Sequence, residues 1–253
     1  GESETAIQVW ESLIQAYPDD LLLHEDIIEA FANEGLSEKA IESGIKLVEK
    51  TKDPYDRIVR HFRVAELHIL ADDLEKAVDV YEAELPRTGA SSWLEREILA
   101  RVSRIYRRED NIEALRSWID EQAKSFPERL SLLQNQASLA AESGESEKAV
   151  ALYREILDRS PGDRDTQNAF VEILAQTGYT KAAILQLESL VEQYPAEADL
   201  YLGLAELLFA DGQKDPSGEA VRNFLAKSPR DEIDYLRTGR FLEKYEQFDR
   251  AAK

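Results

Sequence analysis

The sequence predicts an all-α chain, an α-α superhelix of stacked antiparallel helix pairs, on three observations: evenly spaced prolines, a glycine at a fixed offset after them, and helical apolar spacing between. Pro127, Pro161, Pro195 and Pro229 follow one another at intervals of 34 residues, and Gly144, Gly178 and Gly212 each stand 17 residues after a proline. Pro18 and Gly35 repeat the offset near the start. No segment alternates apolar and polar residues with the two-residue period of a strand.

Each mark has a physical task. The glycine falls where one helix must stop and reverse, a place that favours the left-handed conformation open to Gly and next best to Asn and Asp. In two irregular repeats that corner falls on Ala71-Asp72-Asp73 and Glu109-Asp110-Asn111. The proline sits just past the second helix, which its missing N–H and its ring terminate. Five residues after the glycine stands a small side chain, Ala40, Ala149 or Ala183, with Ala77 and Ala114 in the looser repeats and Ala251 in the last. A small residue there lets antiparallel helices approach closely. Four residues on, a larger one fills the adjoining space: Trp10, Tyr81, Trp118, Tyr153 or Leu187. Between the marks, Leu130, Leu133, Ala137 and Ala140 and then Ala149, Val150, Tyr153, Ile156 and Leu157 keep helical spacing.

Composition narrows the partners. The 253 residues hold 31 Lys plus Arg against 51 Asp plus Glu, a net charge of −20, and 43% are hydrophobic. Such acidity opposes nucleic acid, whose phosphates are bound by Lys and Arg. No apolar run approaches the ~20 residues of a membrane span, so no membrane insertion is expected. The absence of cysteine excludes disulfides, thiolate metal sites and cysteine nucleophiles. With no methionine either, the chain reads as an excised piece of a longer protein.

These repeats resemble the tetratricopeptide repeat family. The resemblance is clearest over 128–195, where Ala149, Tyr153, Pro161, Ala183, Leu190 and Pro195 take the family's small, bulky and proline positions. The family's first-helix tryptophan is replaced by Leu133, Gln167 and Tyr201, and three extra residues lie around Tyr55-Asp56-Arg57. The resemblance implies a right-handed solenoid over 1–253, of about seven 34-residue units, irregular over 55–127 and regular over 128–253. Residues 3–17 read as a second helix without its first, and 247–253 as a second helix that begins and stops. Half-repeats at both ends imply further repeats beyond the termini or self-association through terminal helices.

The resemblance also implies a protein or peptide partner held on the concave surface lined by first helices. By alignment the lining is Leu22, Glu25 and Glu29, then Phe62, Glu66 and Ile69, then Ser131, Gln134 and Ser138, then Asn168 and Glu172, then Leu202, Glu206 and Phe209, then Leu236 and Arg240. It reads as an acidic groove with apolar spots, suited to a Lys- or Arg-bearing segment. Members that clamp an acidic C-terminus use Lys, Asn and Arg on successive first helices. Asn135 fits that pattern, but Asp165 and Ala169 stand where the next cations belong, so the clamp fails over 128–195.

The middle of the chain departs from the acidic trend. Arg101, Arg104 and Arg108 recur at three and four residues and share one helix face. A guanidinium donates two parallel hydrogen bonds to a carboxylate, so this cluster reads either as a site for an acidic partner or as internal pairing with acids such as Glu97, Glu109 and Glu113.

Other motifs carry less. Leu85-Pro86-Arg87-Thr88-Gly89 resembles a sortase sorting signal, but Ser91 or Ser92 then caps a helix, so the segment reads as an inter-repeat loop. His61 and His68 lie seven residues apart, about 10 Å along a helix, too far to share one zinc. No nucleophile and base pair stands out, and neither catalysis nor a cofactor is expected. The leading functional expectation is an interaction scaffold; the alternatives are a substrate-recruiting arm of a larger enzyme and a structural homo-oligomerisation module.

Overall fold

Fourteen α-helices and one 3-10 turn lie within the residues that the computed structural model describes, 2–90, 92–228 and 232–244. In chain order they are α1 (Glu2–Ala16), α2 (Leu21–Asn33), α3 (Ser37–Lys50), α4 (Pro54–Leu70), α5 (Leu74–Glu84), the 3-10 turn Leu85–Arg87, α6 (Trp93–Arg108) and α7 (Ile112–Ser125). Then follow α8 (Leu130–Glu142), α9 (Ser146–Arg159), α10 (Arg164–Gln176), α11 (Thr180–Gln193), α12 (Ala198–Ala210), α13 (Lys214–Lys227) and α14 (Glu232–Lys244). Among the described residues there is no strand. The chain divides into two compact units, the division falling after Ser131 in the sequence. From α2 onward, even-numbered helices are the first of a pair and odd-numbered helices the second.

The corners form where the sequence placed them. Gly35, Gly144, Gly178 and Gly212 have φ between +74° and +82°, and Asp72 and Asp110 adopt φ +59° and +54°. At the first corner Leu36 N–H donates to Phe31 O at 2.9 Å and Gly35 N–H to Ala32 O at 3.0 Å, which satisfies carbonyls left over at the helix end. The reversal delivers Ala40, Ala77, Ala149 and Ala183 to fully buried positions. Pro18, Pro127, Pro161 and Pro195 each follow the last residue of a second helix by two positions. The segment expected to start a helix at Gln247 lies outside the described residues.

The extra residues near Tyr55 lengthen a helix. First helices α2, α8, α10, α12 and α14 have 13 residues, whereas α4 has 17 and α6 has 16. Where regular repeats place proline, 17 residues before the corner, the irregular ones have Tyr55 and Trp93. Helix α4 instead opens on Pro54, at the first helical position that proline tolerates, and α6 opens on Trp93, so each starts about one turn earlier relative to its corner. Asp53 and Ser92 cap these early starts, accepting from Asp56 N–H at 2.9 Å and Glu95 N–H at 3.1 Å.

Each unit buries its own apolar core. In the first, Ile27, Ile28, Phe31, Ala40, Leu47 and Leu67 form a cluster, and Trp10 meets Phe31 edge-on at 5.5 Å between ring centroids. In the second, Leu187, Leu190, Leu204, Leu208, Val221 and Phe241 pack together.

The irregular connection after α5 is pinned by buried charge. Arg129 donates to Leu85 O at 2.9 Å, Thr88 Oγ1 at 3.1 Å and Thr88 O at 3.1 Å, and its guanidinium lies 4.5 Å from the Phe126 ring centroid. Fully buried Glu95 accepts from the Ser131 hydroxyl and stands 3.9 Å from Arg129. Buried Glu84 pairs with Arg87 and lies 2.8 Å from His61 Nδ1. Burial pushes the Glu84 carboxyl up, but His61 and Arg87 outweigh it and hold it below the usual range.

Side chains also join successive first helices. Arg60 on α4 donates to Glu25 on α2 at 2.9 Å, Arg101 on α6 pairs with Glu66 on α4, and Arg108 on α6 donates to Asp72 at 2.8 Å. Arg101 also donates to Glu97 at 2.6 Å and to the Tyr81 hydroxyl at 3.2 Å, with its guanidinium 5.3 Å from the Phe62 ring centroid. In the second unit Gln134 donates to Asp163 at 2.7 Å and Thr166 at 2.9 Å, Arg164 pairs with Glu197, and Arg237 with Asp199 at 2.7 Å.

Three outcomes test this architecture. Ala149→Leu or Ala183→Leu is expected to overpack a hairpin and cost roughly 1–3 kcal/mol in urea unfolding, whereas Ser146→Leu changes little; equal losses would overturn the register. Arg101→Ala strips the buried Tyr81 hydroxyl of its partner and should cost about 1–3 kcal/mol, against less than about 0.5 for Arg104→Ala. Because Glu84 has a depressed pKa, its stabilisation is present above the ordinary value of about 4.3 and lost as pH falls below it. The stability gap between wild type and Glu84→Gln is therefore expected to narrow as unfolding is measured from about pH 6 to about pH 3; a gap that widens in acid would contradict the assignment.

Candidate protein-binding surface

The first helices present the predicted lining, and the structure sorts its residues into three groups. Some are core: Phe62 is buried beneath Arg101 and meets Tyr81 edge-on at 5.5 Å, so it does not line a groove. The ring of Tyr81 and the guanidinium of Arg101 cover it. Ser131 is likewise buried, on Glu95.

A second group is committed to internal bonds. Glu25 and Glu66 are held by Arg60 and Arg101, Gln134 by Asp163 and Thr166, and Arg108 by Asp72. Burial works against the Arg101 charge, but the bonds from Tyr81, Glu97 and Glu66 outweigh it and raise its pKa above the ordinary guanidinium value. Burial also pushes the Tyr81 phenol up. Glu97 and Glu109, named as internal partners from sequence, do meet Arg101 and Arg108.

A third group faces outward. Glu29, Arg104, Asn168, Glu172 and Glu206 are exposed, and Glu172 accepts from Gln176 at 2.9 Å on its own helix. Leu202 and Phe209 are half-buried, Phe209 lying edge-on to Phe241 at 6.5 Å. Arg104 and Arg240 make no ion pair among the described residues.

Between α12 and α14 these positions line an open recess of about 410 Å³, formed by Asp199, Leu202, Gly203, Glu206, Arg237, Arg240 and Phe241. Leu202 and Phe241 are its apolar wall, carboxylates stand on α12, and guanidiniums stand on α14. Leu202, Glu206 and Arg240 thus converge, while Asn168 and Glu172, one helix away, do not contribute. Two other clefts lie among second helices: about 380 Å³ between α1 and α3 above His24 and Phe31, and about 460 Å³ between α9 and α11 above Phe170 and Leu174.

Among the described residues no group of three or more His, Asp and Glu is placed to hold a metal ion, and no helix is long and apolar enough to cross a membrane. His68 stands 3.9 Å from Asp73, and burial lowers its pKa. Sequence reading overlooked Trp93, Tyr55 and Val59, which are exposed on α6 and α4. The signal was present, since Tyr55 and Trp93 occupy the proline position of the regular repeat.

No family model matches the chain, and no curated protein matches it. Solved structures do. The C-terminal part of a TPR repeat-containing protein from Cytophaga hutchinsonii is similar over 92% of this chain and 93% of its own, at 14% identity and a TM-score of 0.57. A tetratricopeptide repeat protein from Parabacteroides merdae aligns over 95% of this chain and 93% of its own, at 15% identity and a TM-score of 0.48. MamA from Desulfovibrio magneticus, residue 41 to the end, aligns over 62% of this chain and 88% of its own, at 20% identity and a TM-score of 0.49. At these identities the likeness is one of fold, carried by the Cytophaga structure and by the corner, alanine and proline positions above. The chain has the all-α fold of tetratricopeptide repeat proteins.

Proposed function

We propose that the chain is a protein-binding scaffold that holds a peptide or protein segment on the outward faces of its first helices. The observation that carries this reading is the α12–α14 recess, where an apolar wall of Leu202 and Phe241 lies beside Arg240, a guanidinium with no ion pair among the described residues. An apolar recess with a few convergent polar groups takes a side chain and fixes its orientation. Neighbouring Leu236 is more than half exposed and extends the apolar surface along α14. The site offers binding groups of both signs but no nucleophile positioned by a base, so it supports recognition rather than bond-making.

Random peptides displayed against the whole chain provide ligands for a direct test by titration. Leu202→Glu and Arg240→Glu are each expected to weaken the selected peptides about tenfold or more, as loss of a central contact does. Leu185→Glu, on the exposed face of second helix α11, is expected to leave binding unchanged. Loss confined to Leu185→Glu would place the binding surface on the second helices and remove this reading.

A further inference from the structure

The arginine cluster and the exposed aromatics of the first unit define a second surface. Helices α4 and α6 carry eight arginines against four carboxylates in a chain of net charge −20. Most of that positive charge on the first-helix face is internally spent, because Arg60, Arg101 and Arg108 bond to Glu25, Glu66 and Asp72. Arg104 is exposed and makes no ion pair among the described residues.

The same face carries unpartnered apolar side chains. Trp93 and Arg104 are eleven residues apart on α6, three helical turns, so they project from one side about 16 Å apart. Tyr55 and Val59 are four residues apart on one side of α4. The Arg101–Glu66 and Arg108–Asp72 pairs set α4 beside α6, and the Arg60–Glu25 pair sets α2 beside α4. Leu22 on α2 thereby joins the track. The exposures are 71% for Leu22, 53% for Tyr55, 39% for Val59 and 53% for Trp93. Large side chains left this open across three adjacent helices form an apolar track with a cation at its α6 end and exposed Glu29 towards its α2 end.

We propose that this track docks an extended peptide whose alternate apolar side chains lie on Leu22, Val59, Tyr55 and Trp93 and whose acidic end meets Arg104. The proposal rests on the reading of the first helices as a binding surface, and charge complementarity selects the occupant. An acidic end finds a free planar donor on α6, whereas a basic end there faces a helix with five arginines and two carboxylates. A distance of about 16 Å corresponds to about five residues of extended chain. The longer α4 and α6 create the track, since the added turns are what carry Tyr55 and Trp93 beyond the regular helix start.

The probe is a fluorescein-labelled decapeptide, Leu-Ser-Val-Ser-Phe followed by five aspartates, titrated by anisotropy against the whole chain, beside the same peptide ending in five lysines and a ten-residue oligothymidylate. The aspartate peptide is expected to bind saturably and about tenfold or more tighter than the lysine peptide. Arg104→Glu is expected to reverse that preference, and Trp93→Ala to weaken both peptides. Leu202→Glu, at the α12–α14 recess, is expected to change neither, so loss of binding at one surface is told from loss at the other. Absence of saturable binding, or a preference unchanged by Arg104→Glu, would overturn the proposal. Tighter, Arg104-dependent binding of the oligothymidylate would overturn it in favour of a nucleic acid.

Discussion

The left-handed corner at the end of each first helix is the constraint on which the remaining structure depends. One residue with positive φ reverses the chain, and the next helix starts two residues later and runs back along the first. The alanine five residues on must then face the helix just completed, which is why Ala40, Ala77, Ala149 and Ala183 have no accessible surface. Glycine meets the backbone demand at no steric cost, and Asp72 and Asp110 meet it as residues that tolerate the left-handed region. Where they do so, the adjoining repeats are also the irregular ones.

Irregularity and exposed chemistry coincide for a single reason. Helices α4 and α6 begin about one turn earlier than a regular first helix, α4 on Pro54 itself, and that turn has no counterpart in the 13-residue α2 to cover it. Its aromatic side chains therefore remain in solvent. The same departure leaves a long connection after α5, which needs its own anchor; Arg129, Thr88 and the Leu85 carbonyl provide it. Charge burial is tolerated there because the guanidinium meets several acceptors and a ring face together.

Charge alone is a poor guide to an available site in such a stack. Adjacent first helices bring residues about 35 positions apart into contact, as in Arg60 with Glu25 and Arg101 with Glu66, separations that no local helical rule detects. These rungs remove Glu25, Glu66, Arg101 and Arg108 from the free inventory and leave Arg104. In the second unit the equivalent faces hold the α12–α14 recess, where Gly203 and Leu202 leave room beside Arg240.

The helix pairs, their corners and their buried small positions follow from the order of residues along the chain, because backbone conformation at glycine and proline and apolar periodicity are local properties. That order also contained, unread, the side-chain caps at Asp20, Asp53, Asn111 and Asp163, each accepting from a backbone N–H three residues on. Which polar side chains are spent, that Phe62 belongs to the core and that Leu202, Glu206 and Arg240 line one recess emerge only from the packing of the helices. Those facts depend on contacts between residues of different helices, such as Phe62 with Tyr81 and Arg101, which no local pattern encodes.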